Sequence, residues 1–271
     1  MPGQIQLLND EQATLMSSRF PDRLEPNFAW GNVCSFYQAL PVLHAFWPCG
    51  AQKRGPNDYY IQDIACNYNL TTVHNPLFGY EALRPYVDFD GANDYAYYLD
   101  DAQFDILGNA EIAAQPGLTL GCWIYPERAA ATPEYILAKY DQAINLSSAY
   151  YIKRTGGGAL EMSVTNGAIV TFAPSASLIR QNVWQFVAGK FIPSTSLTAY
   201  LSTAVGSLEA TPTATAIATI NNSAYNFTMA SDRVPSNYFD GKISLAWICA
   251  SALSDTMINA LYQLSRPLFG Q

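Results

Sequence analysis

Leu118 to Tyr125 reads LTLGCWIY, a run of apolar, aromatic and β-branched residues without a charge. Such a run bounded by turn residues is a strand signature. Similar runs flank it. Tyr135 to Tyr140 (YILAKY) comes next. Ala149 to Arg154 and Leu160 to Thr165 lie on either side of Gly156, Gly157 and Gly158, and Asn166-Gly167 precedes Ala168 to Phe172. Both glycine-bearing turns are hairpin signals. Val183 to Phe191, Ser196 to Ser202, Tyr225 to Ala230 and Gly241 to Ala250 continue the pattern, and the Ala/Thr-rich Thr211 to Thr219 reads as a strand edge or loop. Ser254 to Leu264 is helical: Ser254 can cap it, Asp255 suits the first turn, and Met257, Leu261 and Leu264 share a face. Many short strands with no helix between successive ones predict an all-β sandwich or jelly roll.

Upstream the character changes. Asn9 to Ser18 predicts a short helix, with Asn9 as cap and Asp10 and Glu11 at its positive end. Pro21, Pro26 and Pro41 then stand among Phe20, Phe28, Trp30, Phe36 and Tyr37. The prolines predict irregular backbone and the aromatics need burial, so residues 1–41 read as an arm lying across another surface. Phe20, Phe28, Trp30, Phe36 and Tyr37 are its expected partner-binding residues, and residues 42–271 are the expected sandwich. The arm's own sandwich is the alternative surface.

The chain has 271 residues, 49% of them hydrophobic, which is ample for a core. Only 13% are charged, against a usual share of about 25%. Such a surface suits a lectin-like face or one covered by other subunits. The net charge of −8 and the lack of a basic run exclude nucleic acid and polybasic membrane anchoring. No stretch is long and apolar enough for a membrane-spanning helix. Met1 to Gln12 has neither the positive start nor the apolar run of a signal peptide. Cys34, Cys49, Cys66, Cys122 and Cys249 lack zinc-site spacing and read as buried free thiols.

The strand motifs resemble, in order, those of a laminin-G-like domain of the concanavalin A-like superfamily. The resemblance runs from about Val42 to Tyr262. It rests on Ala45-Phe46-Trp47-Pro48, Asp63, Val87-Asp88-Phe89-Asp90-Gly91, Thr119-Leu120-Gly121-Cys122-Trp123, Ile136-Leu137-Ala138-Lys139, Asn182 to Ala188, Phe239-Asp240-Gly241-Lys242-Ile243 and Ala252-Leu253-Ser254. It implies a concanavalin A-like jelly roll following the extended arm. Ser244 stands where the family often has Asp, and the glycine expected after Tyr200-Leu201-Ser202-Thr203 is delayed to Gly206, so a metal or sugar site is not carried over. The chain also resembles laminin-G-bearing structural proteins of tailed bacteriophages in its signal-less arm, Phe46-Trp47-Pro48, Tyr86 to Tyr95 and Asp105-Ile106-Leu107-Gly108. That resemblance implies a virion location, with other virion proteins or copies of itself as partners.

The chemistry readable from the residues is sparse. Of two histidines, His44 sits in an apolar strand as a packing residue and His74 in a solvated loop. Neither stands beside a nucleophile, and no GxSxG elbow exists. The paired carboxylates of a glucanase, on one strand face, are absent. Asp88, Asp90 and Asp94 form the densest acidic cluster. They read either as a solvated Asp-Gly turn or as ligands of one structural Ca²⁺, with no other cofactor expected. The expected function is therefore non-enzymatic. One reading is a virion structural protein, as capsid cement, decoration or tail component, assembling through the arm. The alternative is a carbohydrate-binding adhesion module touching cell-surface glycan.

Overall fold

The structure, a computed structural model, describes residues 26–55, 58–81, 84–108, 116–204, 206–232 and 237–271. Helix α1 (Pro26–Gln38) is followed by β1 (Leu43–Trp47), β2 (Ala51–Gly55), β3 (Asp58–Ile61), β4 (Leu70–Val73) and β5 (Leu77–Glu81). Then come β6 (Arg84–Asp90), β7 (Tyr95–Tyr98), β8 (Leu118–Pro126), β9 (Glu134–Lys139), β10 (Tyr150–Arg154) and β11 (Ala159–Thr165). The chain continues through β12 (Val170–Leu178), β13 (Gln185–Ile192), β14 (Ser196–Ala204), β15 (Ser207–Ala214), β16 (Phe227–Met229), β17 (Asp240–Cys249) and helix α2 (Asp255–Ser265).

The strands form two antiparallel sheets. The eight-stranded one has the order β15-β14-β13-β8-β17-β6-β5, with β1 also paired to β17. The nine-stranded one has the order β12-β11-β10-β9-β16-β7-β4-β3-β2. Face to face they make the predicted sandwich, for strands with one set of apolar side chains each can bury them only against a second sheet.

The segment LTLGCWIY shows why this chain needs a further layer. Leu118, Leu120, Cys122 and Ile124 point into the core between the sheets. Trp123, on the opposite face, would be exposed in a bare sandwich. It is instead buried with Phe46, Phe186, Leu245 and Trp247 beneath the two helices. The Trp123 ring stacks on Phe269 at 4.2 Å, and its Nε1 donates to Ser265 Oγ at 2.8 Å. Helix α2 starts where the sequence places it, with Ser254 Oγ accepting from Met257 N at 3.2 Å.

The N-terminal segment departs from expectation. Pro26 to Gln38 is a helix, not irregular backbone. Pro26 sits at the first helical position, where its missing N–H costs nothing. Phe36 and Tyr37, expected to bind a partner, are buried against the chain's own sheet, with Tyr37 stacked on Phe46 at 4.8 Å and edge-on to Trp247 at 6.2 Å. The apolar outer face of the eight-stranded sheet is the surface that the aromatics required. Phe20 and the helix expected at Asn9 to Ser18 lie outside the described residues, as do the side chains of Phe28 and Trp30.

Asp63 fastens the free edge of β1. Its carboxylate accepts from the backbone N–H of Phe46, Ala65, Cys66 and Tyr68 at 2.9 to 3.1 Å. This explains an acid in the loop after the Trp47-Pro48 pair. All five cysteines are free, but Cys66 is exposed and Cys34 only partly buried, contrary to the expectation of uniform burial. Among the described residues no helix is long and apolar enough to cross a membrane.

Candidate ligand-binding face

The two sheets differ on their outer sides. Helices cover the eight-stranded sheet, whereas the nine-stranded sheet carries a row of outward side chains fixed by register. From β3 to β12 it runs Tyr60, Thr71, Tyr97, Thr228, Ala138, Tyr151, Ser163 and Phe172. Their strand neighbours Ile61, Leu70, Ala96, Ile152 and Met162 fill the inter-sheet core, so period-2 alternation turns this row outward.

The middle of the row is closed. Tyr135, Tyr140 and Tyr151 are buried as a cluster of rings 4.5 to 5.4 Å apart. Tyr151 donates its hydroxyl to Glu161 at 2.8 Å, and Lys153 pairs with the same carboxylate at 3.1 Å. Next to this cluster Phe239 N donates to Ala230 O, and Tyr135 N donates to Asn237 O. Tyr95, Tyr97 and Tyr238 are half-exposed, and the Tyr95 ring lies 6.1 Å from Tyr97 and 6.3 Å from Tyr238.

An acidic turn borders these rings where the chain passes from β6 in one sheet to β7 in the other. Asp90 Oδ1 accepts from the N–H of Ala92, Asn93 and Asp94 at 2.9 to 3.1 Å, which folds the turn. Burial pushes the Asp90 carboxyl up, but the three amides and nearby His74 outweigh it and hold it below its usual range. Burial and the Asp90 charge raise Asp94. His74 and Asn75 border the turn in consecutive left-handed conformations, φ 62° and 66°, which are uncommon for non-glycine residues.

A partly buried ionic network supports both the turn and Tyr238. Arg128 donates to Gly91 O at 3.3 Å and to Tyr238 O at 3.0 Å. The same guanidinium binds Glu134 Oε1 through Nε and Nη2 at 3.0 and 2.6 Å. The other Glu134 oxygen is paired with Arg154.

The structure separates the three residues expected to share calcium. Asp94 is buried just before β7, and Asp90 spends one carboxylate oxygen on backbone amides. Asp88 stands on the outer side of the eight-stranded sheet, in register with Lys242. Among the described residues no group of three or more acidic, histidine or cysteine side chains is placed to hold a metal ion. The segment Tyr95-Ala96-Tyr97-Tyr98 already held the signal for the tyrosine pair, since alternation puts Tyr95 and Tyr97 on one face. Tyr60 and Tyr238 carry no local signal; strand order brings Tyr60 to this face, and Tyr238 comes from the segment just before β17.

Comparison with known proteins agrees with the fold. The family model described as the concanavalin A-like lectin/glucanases superfamily matches residues 90–259. No curated protein matches the chain. Among solved structures, it is similar to domain 4 of AbnA, an extracellular arabinanase from Geobacillus stearothermophilus, in complex with arabinotriose. The TM-score is 0.57 at 12% identity, covering 81% of this chain and 97% of that one. It is also similar to the binding domain of botulinum neurotoxin DC in complex with rat synaptotagmin II, with TM-score 0.55, 14% identity, and 82% of this chain against 51% of that one. A second structure of that binding domain, in complex with SialylT, gives TM-score 0.56 at 12% identity, with 83% and 52% covered. The chain thus spans about half the length of the neurotoxin binding domains it matches.

Proposed function

The chain belongs to the concanavalin A-like lectin/glucanases superfamily, and we propose that it is a non-catalytic binding domain that takes a neutral oligosaccharide on the Tyr95–Tyr97–Tyr238 face. The observation that carries this reading is the juxtaposition of three half-exposed tyrosine rings with the Asp90–Asp94 turn. Sugar rings present an apolar C–H face and a rim of hydroxyls. Aromatic side chains match the first, and carboxylate and amide acceptors match the second. The acidic turn and the net charge of −8 disfavour an acidic glycan. A structural neighbour holding arabinotriose supports the choice of ligand class.

Binding without catalysis is supported by the state of the carboxylates around this face. Glu161 is engaged by Tyr151 and Lys153, and Glu134 is enclosed by two arginines. Neither is free to serve as a nucleophile or general acid. No observation favours virion assembly through the arm, since the burial of Phe36 and Tyr37 within the chain removes part of its motivation.

The test is a glycan array spanning neutral and sialylated oligosaccharides, followed by calorimetry on any hit. Tyr97→Ala is expected to weaken a neutral ligand about tenfold, or roughly 1.4 kcal/mol, without changing the melting temperature. Absence of any bound glycan, or wild-type affinity in both Tyr95→Ala and Tyr97→Ala, would refute the assignment.

A further inference from the structure

Sheet edges offer unpaired backbone groups to other chains, and proteins protect them with charge, proline, bulges or a covering segment. The edges here are treated unequally. β15 carries Glu209 and Pro212, and β12 carries Pro174. Glu209 also accepts from Ala176 N and Ser177 N at 2.8 to 3.2 Å, so these two edges shield each other. β2 carries Lys53 and Arg54. The free side of β1 is bonded by Asp63 and by Ile64 N, which donates to Phe46 O.

Among the described residues no other strand pairs with the free side of β5, and its one charge, Glu81 at the strand's end, is tied to Arg84 rather than left to guard the edge. Its sequence is Leu-Phe-Gly-Tyr-Glu, it pairs with β6 alone, and Leu77 and Tyr80 are 71% and 67% exposed. They are the two most exposed large hydrophobic residues among those described. Gly79 lies under the Tyr86 ring, where a Cβ would collide with it, an arrangement in which a neighbouring aromatic covers the bare glycine.

We propose that β5 pairs antiparallel with β5 of a second copy of this chain, joining two eight-stranded sheets into one. The register is self-complementary about Gly79. Placing Gly79 opposite its twofold mate sets Phe78 against Tyr80 twice on the inner side and Leu77 against Glu81 twice on the outer side. Leu77, Gly79 and Glu81 share one face and Phe78 and Tyr80 the other, as their β6 partners Asp88, Tyr86, Val87 and Pro85 require. No like charges meet, because Glu81 is the strand's one ionised residue and is tied to Arg84 of its own chain at 2.8 Å. Isologous pairing of this kind closes at two copies.

A five-residue strand pair is a small interface, so the dimer should depend on concentration. The experiment is sedimentation velocity of the full chain from about 1 to about 200 µM, a range suited to weak interfaces of this size. Wild type should shift from monomer toward dimer. The double variant Leu77→Lys/Tyr80→Lys should remain monomeric with an unchanged melting temperature. Hydrogen exchange on wild type supplies an independent reading: β5 amides should slow as concentration rises. A wild type monomeric throughout overturns the proposal, and so would an edge that accepts only a foreign strand, since it gives that result. A dimer that persists in the double variant, or one whose β5 amides exchange at the monomer rate, also overturns it.

Discussion

Asp90 and Asp240 are register partners across β6 and β17, so the two Asp-Gly dipeptides of the sequence meet at one end of the sandwich. Each glycine is there for a different reason. Gly91 has φ 66°, in the left-handed turn that Asp90 folds. Gly241 has φ 134°, and a Cβ at that position would run into the carbonyl oxygen of Tyr125. A backbone atom of a central strand cannot swing away as a flexible side chain can. Gly241→Ala should therefore destabilise the protein by about 3 kcal/mol or more, combining the strained φ with the collision. Urea denaturation measures this, and a loss under about 1 kcal/mol would show that the strand yields more easily than its pairing implies.

The fold was legible because its determinants are local. Alternation in Leu118 to Tyr125, the glycine turns at Gly156 to Gly158 and Asn166-Gly167, and the Ser254 cap each act within a few residues. The reading of Thr211 to Thr219 as a strand edge or loop divides at Ala214: residues up to it belong to edge strand β15, and those after it are loop. Helix α1 was not legible, since Pro21, Pro26 and Pro41 bracket a proline-free segment rather than interrupt it. The site was legible only in part. Alternation pairs Tyr95 with Tyr97, but Tyr238 arrives from a position far along the chain through the β7–β16 pairing and the Ala230–Phe239 closure. Asp88, Asp90 and Asp94 looked like one cluster because sequence distance conceals that the chain changes sheets between them.

The Glu134–Arg154 pair has both side chains 1% exposed, so removing either charge strands the other in the interior. Burial pushes the Glu134 carboxyl upward against the pull of both arginines. Glu134→Gln should cost about 3–5 kcal/mol and loosen Arg128, which carries the acidic turn and Tyr238. A second readout separates this from plain destabilisation. Glycan affinity measured well below the melting temperature should fall, whereas a purely structural role would leave it intact.

The docking of α1 predicts the effect of truncation. Val33, Phe36, Tyr37 and Leu40 are buried, and Phe46 and Trp247 lie beneath them. Burial of each large apolar side chain contributes about 1.5–3 kcal/mol. Deleting residues 1–40 should cost at least about 5 kcal/mol and expose surface that binds ANS. Tyr37→Ala alone should cost about 3–5 kcal/mol. An unchanged melting temperature in the truncated protein would mean that the helix contributes nothing to the domain.

Asp88 supplies a pH-dependent test. It faces Lys242 across the β6–β17 pair, but Lys242 already binds Glu127 at 3.0 Å and lies over the rings of Tyr86 and Tyr125. Burial, then the repulsion of Glu127, pushes the Asp88 carboxyl up to about 6 against the weaker pull of Lys242. A carboxyl raised above its unfolded value favours the fold when protonated. Its contribution is complete below the unfolded pKa of about 3.9 and is lost as pH rises through about 6. At pH 7.5 the ionised group therefore opposes folding, and Asp88→Asn should stabilise the protein. The side chain is only half-buried, so solvent screening limits the gain to about 1 kcal/mol. At pH 4 wild type and variant should coincide. Denaturant midpoints at the two pH values decide the matter. A variant less stable than wild type at pH 7.5 would mean that the Asp88 carboxylate attracts Lys242 more strongly than Glu127 repels it.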